Sequence, residues 1–553
     1  MADMITNTPF KKRWKDMLEE LNTWRKHWFE VSEYFFPRKG RYLMTNSKDG
    51  NSNAKGEKLG QKIIHPQGGM ASRTLAAGLM SGLTSPSRPW FRLAIDDDDL
   101  MEYKPVKEWL YFVTNEMFRI LRQSNFYDAM RNLYGELGVF GFNAMLMQED
   151  PIDVIRCIPT TIGEAYIKLD NKFRPTTLYR TFVMTVSQLK EEFGEDKLLP
   201  QMKEGDRMDD EYQVFHVIEP KGAREFNAPG AKGKDYISVY YLEKGPDDHF
   251  LKISGYRTLP FVAPRWDVTG TDTYGDCPGI YALPDVKQLQ KMENDKLIGV
   301  DKQMNPPMNA PSGMKGAGKS LLPGAINYQD VMQGQQGFTP VYLVTPDLSG
   351  MSQAMYDITN RIDQHFFVPL FLAVLNEDKT MTATEVAQRH AEKLQQLGPV
   401  IERLETEVLD VIVDRLFDLM KSLGRIPAPP EEIQGKEYTV KYTSLLAQAQ
   451  QMAGLQSIEQ MLGIAAQVAA INPDVLDKID FDQSMDLYSS ILGAPPEMIR
   501  SDDEVLELRK QKAEAVQQQQ QAAYGSQLAA GAKQLSEAKL EGDSVLDSML
   551  GAV

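Results

Sequence analysis

Apolar residues recur at helical spacing along several long stretches of the chain, and the first begins almost at once. Trp14, Leu18, Leu21, Trp24, Trp28 and Val31 share one face of a helix spanning about 9–36, with Thr8 as cap, Pro9 in the first turn and Pro37 as the stop. A loop rich in Gly, Asn and Lys follows, and HPQGGMASRTLAAGLMSGL predicts a second helix. Its small residues Ala71, Ala76, Ala77, Gly78 and Gly82 allow another helix to approach closely. Residues 101–148 read as two further helices.

From about 152 to 265 the pattern changes. DVIRCIP, EAYIKL, TTLYRTFVM, EYQVFHVI and DYISVYYL are β-prone pieces separated by Gly, Pro and Asp clusters, which predicts an antiparallel sheet in an α+β domain. Helical spacing returns with Val286, Leu289, Met292, Leu297 and Val300, stops at Pro306-Pro307, and resumes over 345–375 after a turn-rich segment. A polar break, NEDKT, leads into the longest periodic run, from Met381 to about Leu423. The capping box Thr382-x-x-Glu385 opens this run, and Gly398-Pro399 interrupts it, where a kink is predicted. Shorter helices follow over 444–493. The Gln- and Ala-rich tail from 501 carries only sparse Val505, Leu508 and Val516, so it is marginal alone and suited to bundling with copies of itself.

Composition adds limits. With 553 residues, 42% of them apolar, the chain has material for about three or four domains with real cores. The two cysteines, Cys157 and Cys277, lie far apart, which argues against a disulfide framework or a zinc site and fits a reducing environment. The N-terminal residues form no apolar signal region and no run of 18 apolar residues occurs, so neither secretion nor membrane spanning is expected. A net charge of −16, from 61 basic and 77 acidic residues, speaks against a tight nucleic-acid binder. It is compatible with a protein past which a polyanion must slide.

Candidate chemistry is sparse. GMKGAGKS at 313–320 matches the phosphate-binding pattern G-x-x-x-x-G-K-[ST]. That pattern works when a strand delivers the turn onto a helix start, yet Pro306, Pro307 and Pro311 stand upstream and Pro323-Gly324 downstream. The loop therefore reads as glycine-rich and lysine-bearing, and VIVD at 411–414 as part of a helix face. The histidines His27, His65, His216, His249, His365 and His390 show no H-x-x-x-H spacing, and no G-x-S-x-G occurs. The carboxylate run Asp96–Asp99 lacks EF-hand spacing and reads as a solvated loop. No catalytic residue, metal site or cofactor is singled out.

The order of parts is the positive signal: a helix, a turn-rich segment, a returning helix, a short polar break and a long kinked helix. This order, with QKIIHPQGGMASRTLAAGLMSGLTSPSRPWFRL, SLLPGAINY, FFVPLF, MTATEVAQRHAEKLQQLGPVIERLE, PPEEIQG and LLAQAQ, resembles the portal (head-to-tail connector) proteins of short-tailed, podovirus-type double-stranded DNA bacteriophages, over roughly 9–510.

The resemblance implies an α+β, mainly helical portal fold assembling into a ring with a central channel. It divides the chain into a wing (1–282, with the β region at about 152–265), a descending stem helix (283–304), a clip (305–346) and a returning stem helix (347–375). A tunnel loop (376–381), a kinked spine helix of the wing (382–423), a crown (424–500) and a C-terminal helical barrel or flexible tail (501–553) complete it. It further implies a homo-oligomer, typically of twelve subunits, at one capsid vertex, as the channel for packaging and ejecting double-stranded viral DNA. The implied partners are the terminase large subunit, tail adaptor or nozzle proteins, and the major capsid and scaffolding proteins, with no membrane and no enzymatic activity.

By the same resemblance Asn376, Glu377, Asp378, Lys379 and Thr380 form the channel loop, with Lys379 the first candidate for DNA contact. Lys315, Lys319, Gln335 and Gln336 are clip residues meeting partners, and Gly398 and Pro399 a hinge. Twelve copies at −16 carry −192 formal charges, so the lumen would guide DNA without holding it. The alternatives are a P-loop NTPase motor component, discriminated by nucleotide binding lost in Lys319→Ala, and a non-viral ring or scaffold protein.

Overall fold

The computed structural model describes residues 7–43, 60–97, 100–101, 103–203, 208–223, 231, 233–306, 308–309, 339–340, 345, 347–375, 397–434, 438–442, 461–465, 467–468, 481–485, 500 and 502–537. The chain forms two compact units, the first of residues 1–92, 115–427 and 440–462, the second of 93–114, 428–439 and 463–553.

In the first unit, α1 (Thr8–Phe35) is the predicted opening helix, with proline in its first turn as expected. Its apolar face carries Trp14 onto the edge of Phe215 at 5.0 Å between ring centres, and Trp28, fully buried, onto Tyr274 at 5.1 Å. Arg13 on the same helix reaches Glu219, which is only 3% exposed, at 2.8 Å. The Tyr179 hydroxyl donates to the same carboxylate. The buried charge thus has two partners and fastens α1 to the sheet behind it.

That sheet is the antiparallel one the β-prone region predicts. Its five strands run in the order β4 (Ala165–Leu169), β5 (Pro175–Thr185), β6 (Glu211–Pro220), β7 (Tyr236–Leu242), β8 (Lys252–Tyr256). A smaller sheet orders β3 (Val154–Pro159), β2 (Met145–Asp150) and β9 (Phe261–Val262). The stretch 101–148, read as two helices, gives α3 (Lys104–Gln123) and α4 (Phe126–Phe140), and then turns into β2. Gly141, at φ +76°, ends α4 in the left-handed conformation that suits glycine. Beyond it MLMQED is six residues long and pairs with β3 from Met145↔Pro159 to Asp150↔Val154, so sheet partners override the helical reading.

Helix α2 (Gln67–Leu83) uses its small residues as expected. A Cβ at Gly138 of α4 would stand 2.6 Å from a methyl of Leu75, and Gly78 lies directly beneath the Phe371 ring. Helix α5 (Val186–Phe193), opened by a capping box between Thr185 and Gln188, packs Val186 and Leu189 among Val214 and Leu242. Both cysteines are buried and unpaired, and burial pushes each thiol up to about 12.

Two long helices complete the scaffold, α6 (Pro278–Met304) and α7 (Leu348–His365). The helical stretch predicted to 375 breaks at Phe366-Phe367, where Phe367 takes φ +55°, and resumes as α8 (Val368–Leu375). The break lets Phe366, fully buried, lie 5.6 Å from Phe35 while α8 sets Phe371 on α2. A last helical run comprises α9 (Gly398–Leu404), a π-helical turn (Glu405–Leu409) and α10 (Asp410–Ser422). VIVD lies within α10, as its periodicity predicts.

In the second unit the Thr439 hydroxyl donates to the Ala94 carbonyl at 3.2 Å. The Gln-rich tail forms α11 (Asp502–Glu537), tied by Lys104–Glu504 at 2.8 Å and Arg509–Asp482 at 2.7 Å. Where its burial is described α11 is exposed or partly so, with no residue in a core, as its sparse apolar positions imply.

Candidate functional site in the paired helices and the cleft at their head

The helices α6 and α7 run antiparallel. Arg361 near the end of α7 meets Asp285 near the start of α6, with Nη2 at 2.8 Å and Nε at 3.2 Å from Oδ1. At the opposite end Met308 pairs with Pro340 and Asn309 with Thr339, so a two-residue ribbon, β10 with β11, closes the pair just beyond both helices. The intervening 310–338 lies outside the described residues.

The head of the stalk is anchored. Gln290, nearly buried, accepts the backbone N–H of Ile64 and His65 through its side-chain oxygen at 2.7 and 2.8 Å and donates to the His65 carbonyl at 2.8 Å. Gln67 donates to Asp363 at 2.6 Å. From Lys291 onward α6 has no buried residue, and α7 has none before Met355. Leu297, Ile298 and Met304 on α6 and Tyr356 on α7 stand exposed there. Among the described residues, exposed large apolar side chains thus gather on the distal half of the stalk.

A cleft of about 640 Å³ lies at the head, where α6, α7 and α9 meet. Its walls combine the rings of Trp266, Tyr281 and Phe367 with Arg361, His365 and Arg403. The charge is largely balanced: Asp285 takes Arg361, with His365 Nε2 3.6 Å from its second oxygen. Arg403 donates to the Trp266 carbonyl at 3.5 Å. Among the described residues no group of three or more His, Cys, Asp and Glu is placed to hold a metal. Among the described residues the other histidines are dispersed: His216 is fully buried against Ser238 at 2.9 Å, and His27, His65 and His249 lie elsewhere on the first unit; His390 lies outside the described residues.

Of the residues singled out in the sequence, Asn376, Glu377, Asp378, Lys379 and Thr380 lie outside the described residues. So do Lys315, Lys319, Gln335 and Gln336, with the GMKGAGKS motif. Gly398 and Pro399 are described, and Pro399 occupies the first turn of α9, where its missing N–H costs nothing. The residues before 397, which would complete the predicted kink, are not described.

Sequence reasoning missed the π-helical turn six residues further on. It brings Glu407 Oε1 to 2.5 Å from Arg265 Nη2, a pair only 11% and 5% exposed. A trace is present in the apolar spacing. Leu404, Val408, Ile412 and Leu416 make three successive four-residue steps, wider than the 3.6 residues of an α turn.

A family model described as bacteriophage head to tail connecting protein matches residues 7–499. The portal protein of Salmonella phage epsilon15 is 38% identical over 547 residues, covering 98% of this chain and 97% of its own. The probable portal protein of Bordetella phage BPP-1 is 38% identical over 531 residues, 95% of each chain. Among solved structures, a chain of the virion of a native gene transfer agent particle is 12% identical with a TM-score of 0.31, covering 70% of this chain and 95% of its own, too slight a likeness to argue from.

Proposed function

The chain belongs to the bacteriophage head to tail connecting protein family, and on that premise we propose that it is a portal subunit, building a ring at one capsid vertex through which double-stranded DNA is packaged and ejected. The observation that carries this reading is the 38% identity to a portal protein across 98% of the chain. The stalk supports it. Its distal apolar side chains need a partner, and a head-to-tail ring gives every copy an identical neighbour on each side.

In this reading residues 1–282 are the wing and 283–304 and 347–375 the stem helices that make the stalk. Residues 305–346 are the clip, 376–381 the channel loop, 382–423 the kinked spine helix, 424–500 the crown and 501–553 the C-terminal helical barrel or flexible tail. The ring is dodecameric. Lys315, Lys319, Gln335 and Gln336 of the clip meet the terminase large subunit and later the tail adaptor, while capsid and scaffolding proteins hold the wing. Asn376 to Thr380 line the lumen, Lys379 touching phosphate in a channel that repels the duplex elsewhere. Gly398 and Pro399 pass loop movement into the spine helix. The ring is structural, and ATP is hydrolysed by its partner.

Genetic complementation tests the reading. A phage whose copy of this gene is disrupted is expected to assemble heads without DNA; the plasmid-borne wild-type chain is expected to restore filled particles, and the wild-type and Lys319→Ala chains alike are expected to bind no nucleotide. Filled heads without the chain would sink the portal reading. Rescue by wild type alone, with nucleotide bound by wild type and not by the variant, would favour the motor alternative.

A further inference from the structure

The helical run from Gly398 to Ser422 is not uniform. α-Helical geometry stops at Leu404, the backbone widens over Glu405–Leu409, and α10 resumes at Asp410, whose N–H donates to the Glu405 carbonyl five residues back. A π turn holds one residue more than an α-helix would need to span the same length. It persists only where its surroundings hold it.

Here one pair of side chains does so. Glu407 Oε1 lies 2.5 Å from Arg265 Nη2, and Oε2 accepts the Arg265 backbone N–H at 3.2 Å. The same Nη2 donates to the Phe173 carbonyl at 2.8 Å, at a hairpin tip where Phe173 sits at φ +59°. Arg265 is therefore gripped by a carboxylate on one side and a strained turn on the other.

The adjoining residue reaches the other end of the run. The Trp266 carbonyl accepts Arg403 and its ring faces Phe367 at 6.4 Å, so Arg265 and Trp266 together touch the π turn, α9 and the break between α7 and α8. The two helical flanks are held unequally. α10 buries Ile412, Val413, Leu416, Leu419 and Met420, and its Arg415 donates to Thr258 at 3.1 Å. α9 buries only Ile401 and Leu404.

We propose that Glu405–Leu409 is a register joint locked by the Glu407–Arg265 pair. When the lock opens, the surplus residue passes toward the N-terminal end of the run, and Gly398–Leu404 turns by one helical position, about 100° around the axis and about 1.5 Å along it. Val400 and Arg403 then leave the wall of the cleft, while α10 stays seated. The joint is argued from the helix alone. Only its use, as the device that lets the channel end of the spine helix move against a fixed wing, rests on the portal reading, so failure of the joint leaves that reading standing.

The test is hydrogen exchange followed by mass spectrometry on the purified full-length protein. Glu407→Gln is expected to raise exchange over 398–409 about tenfold or more and to leave 410–422 at the wild-type rate. Deleting Thr406 in the same chain removes the surplus residue, so exchange over 398–409 is expected to return to the wild-type rate or below. An independent readout uses Val400→Cys, since Cys157 and Cys277 are both buried: alkylation of the new thiol is expected to change severalfold with Glu407→Gln. No change in Glu407→Gln would overturn the joint, as would a rise spread evenly through 410–422 or one that survives the Thr406 deletion. If the deletion chain does not fold, the confinement of the rise and the Val400→Cys rate decide.

Discussion

Replacing Arg13 by Met keeps an unbranched stem against α1 and the sheet but removes the charge facing Glu219. The carboxylate, 3% exposed with Arg13 at 2.8 Å, is left with the Tyr179 hydroxyl as its remaining partner. Stranding a buried charge costs about 3–5 kcal/mol. Urea unfolding followed by tryptophan emission, with Trp14 one residue away, reads this directly. A penalty below about 1 kcal/mol, typical of a solvated pair, would refute the reasoning.

Three further outcomes follow from other parts of the structure. Gly78→Val places a branched side chain into the Phe371 ring, and thermal or urea unfolding is expected to show a loss of about 1–3 kcal/mol that Phe371→Ala partly relieves. Leu297→Asp with Ile298→Asp changes two exposed positions, so the circular dichroism spectrum should stay while assembly, read by light scattering, is lost. Burial holds His216 well below its ordinary value, with the charges of Arg180 and Lys252 adding to the effect. The folded protein thus refuses a proton that the unfolded chain accepts, and stability should fall by up to about 1.4 kcal/mol per unit as pH drops below about 6.5. His216→Phe should flatten that dependence.

Much of the fold was legible where a local pattern had no competitor. α1, α2 and the stalk helix α6 end within a residue or two of their proline, glycine and cap signals, because those residues act on the backbone itself. The β region was legible as a class. Misreadings occurred where tertiary contacts outweighed local preference. Met145–Asp150 became a strand because Val154–Pro159 and Phe261–Val262 offered it ladders. Phe366-Phe367 broke a helix because Phe366 fits beside Phe35 in the core. The π turn is subtler still, a surplus residue held by an arginine 142 positions away in sequence, which no local window contains. The candidate site divides in the same way. The stalk followed from two periodic runs around a proline-rich turn, whereas the cleft gathers Trp266, Phe367 and Arg403 from three distant segments.

Native mass measurement of the purified full-length protein, with electron microscopy of the same sample, tests the portal assignment most directly. The expected result is a closed ring near 750 kDa, twelve times 62.5 kDa, with an open axial channel. A species that remains at 62.5 kDa on concentration and in the presence of its capsid proteins would contradict it.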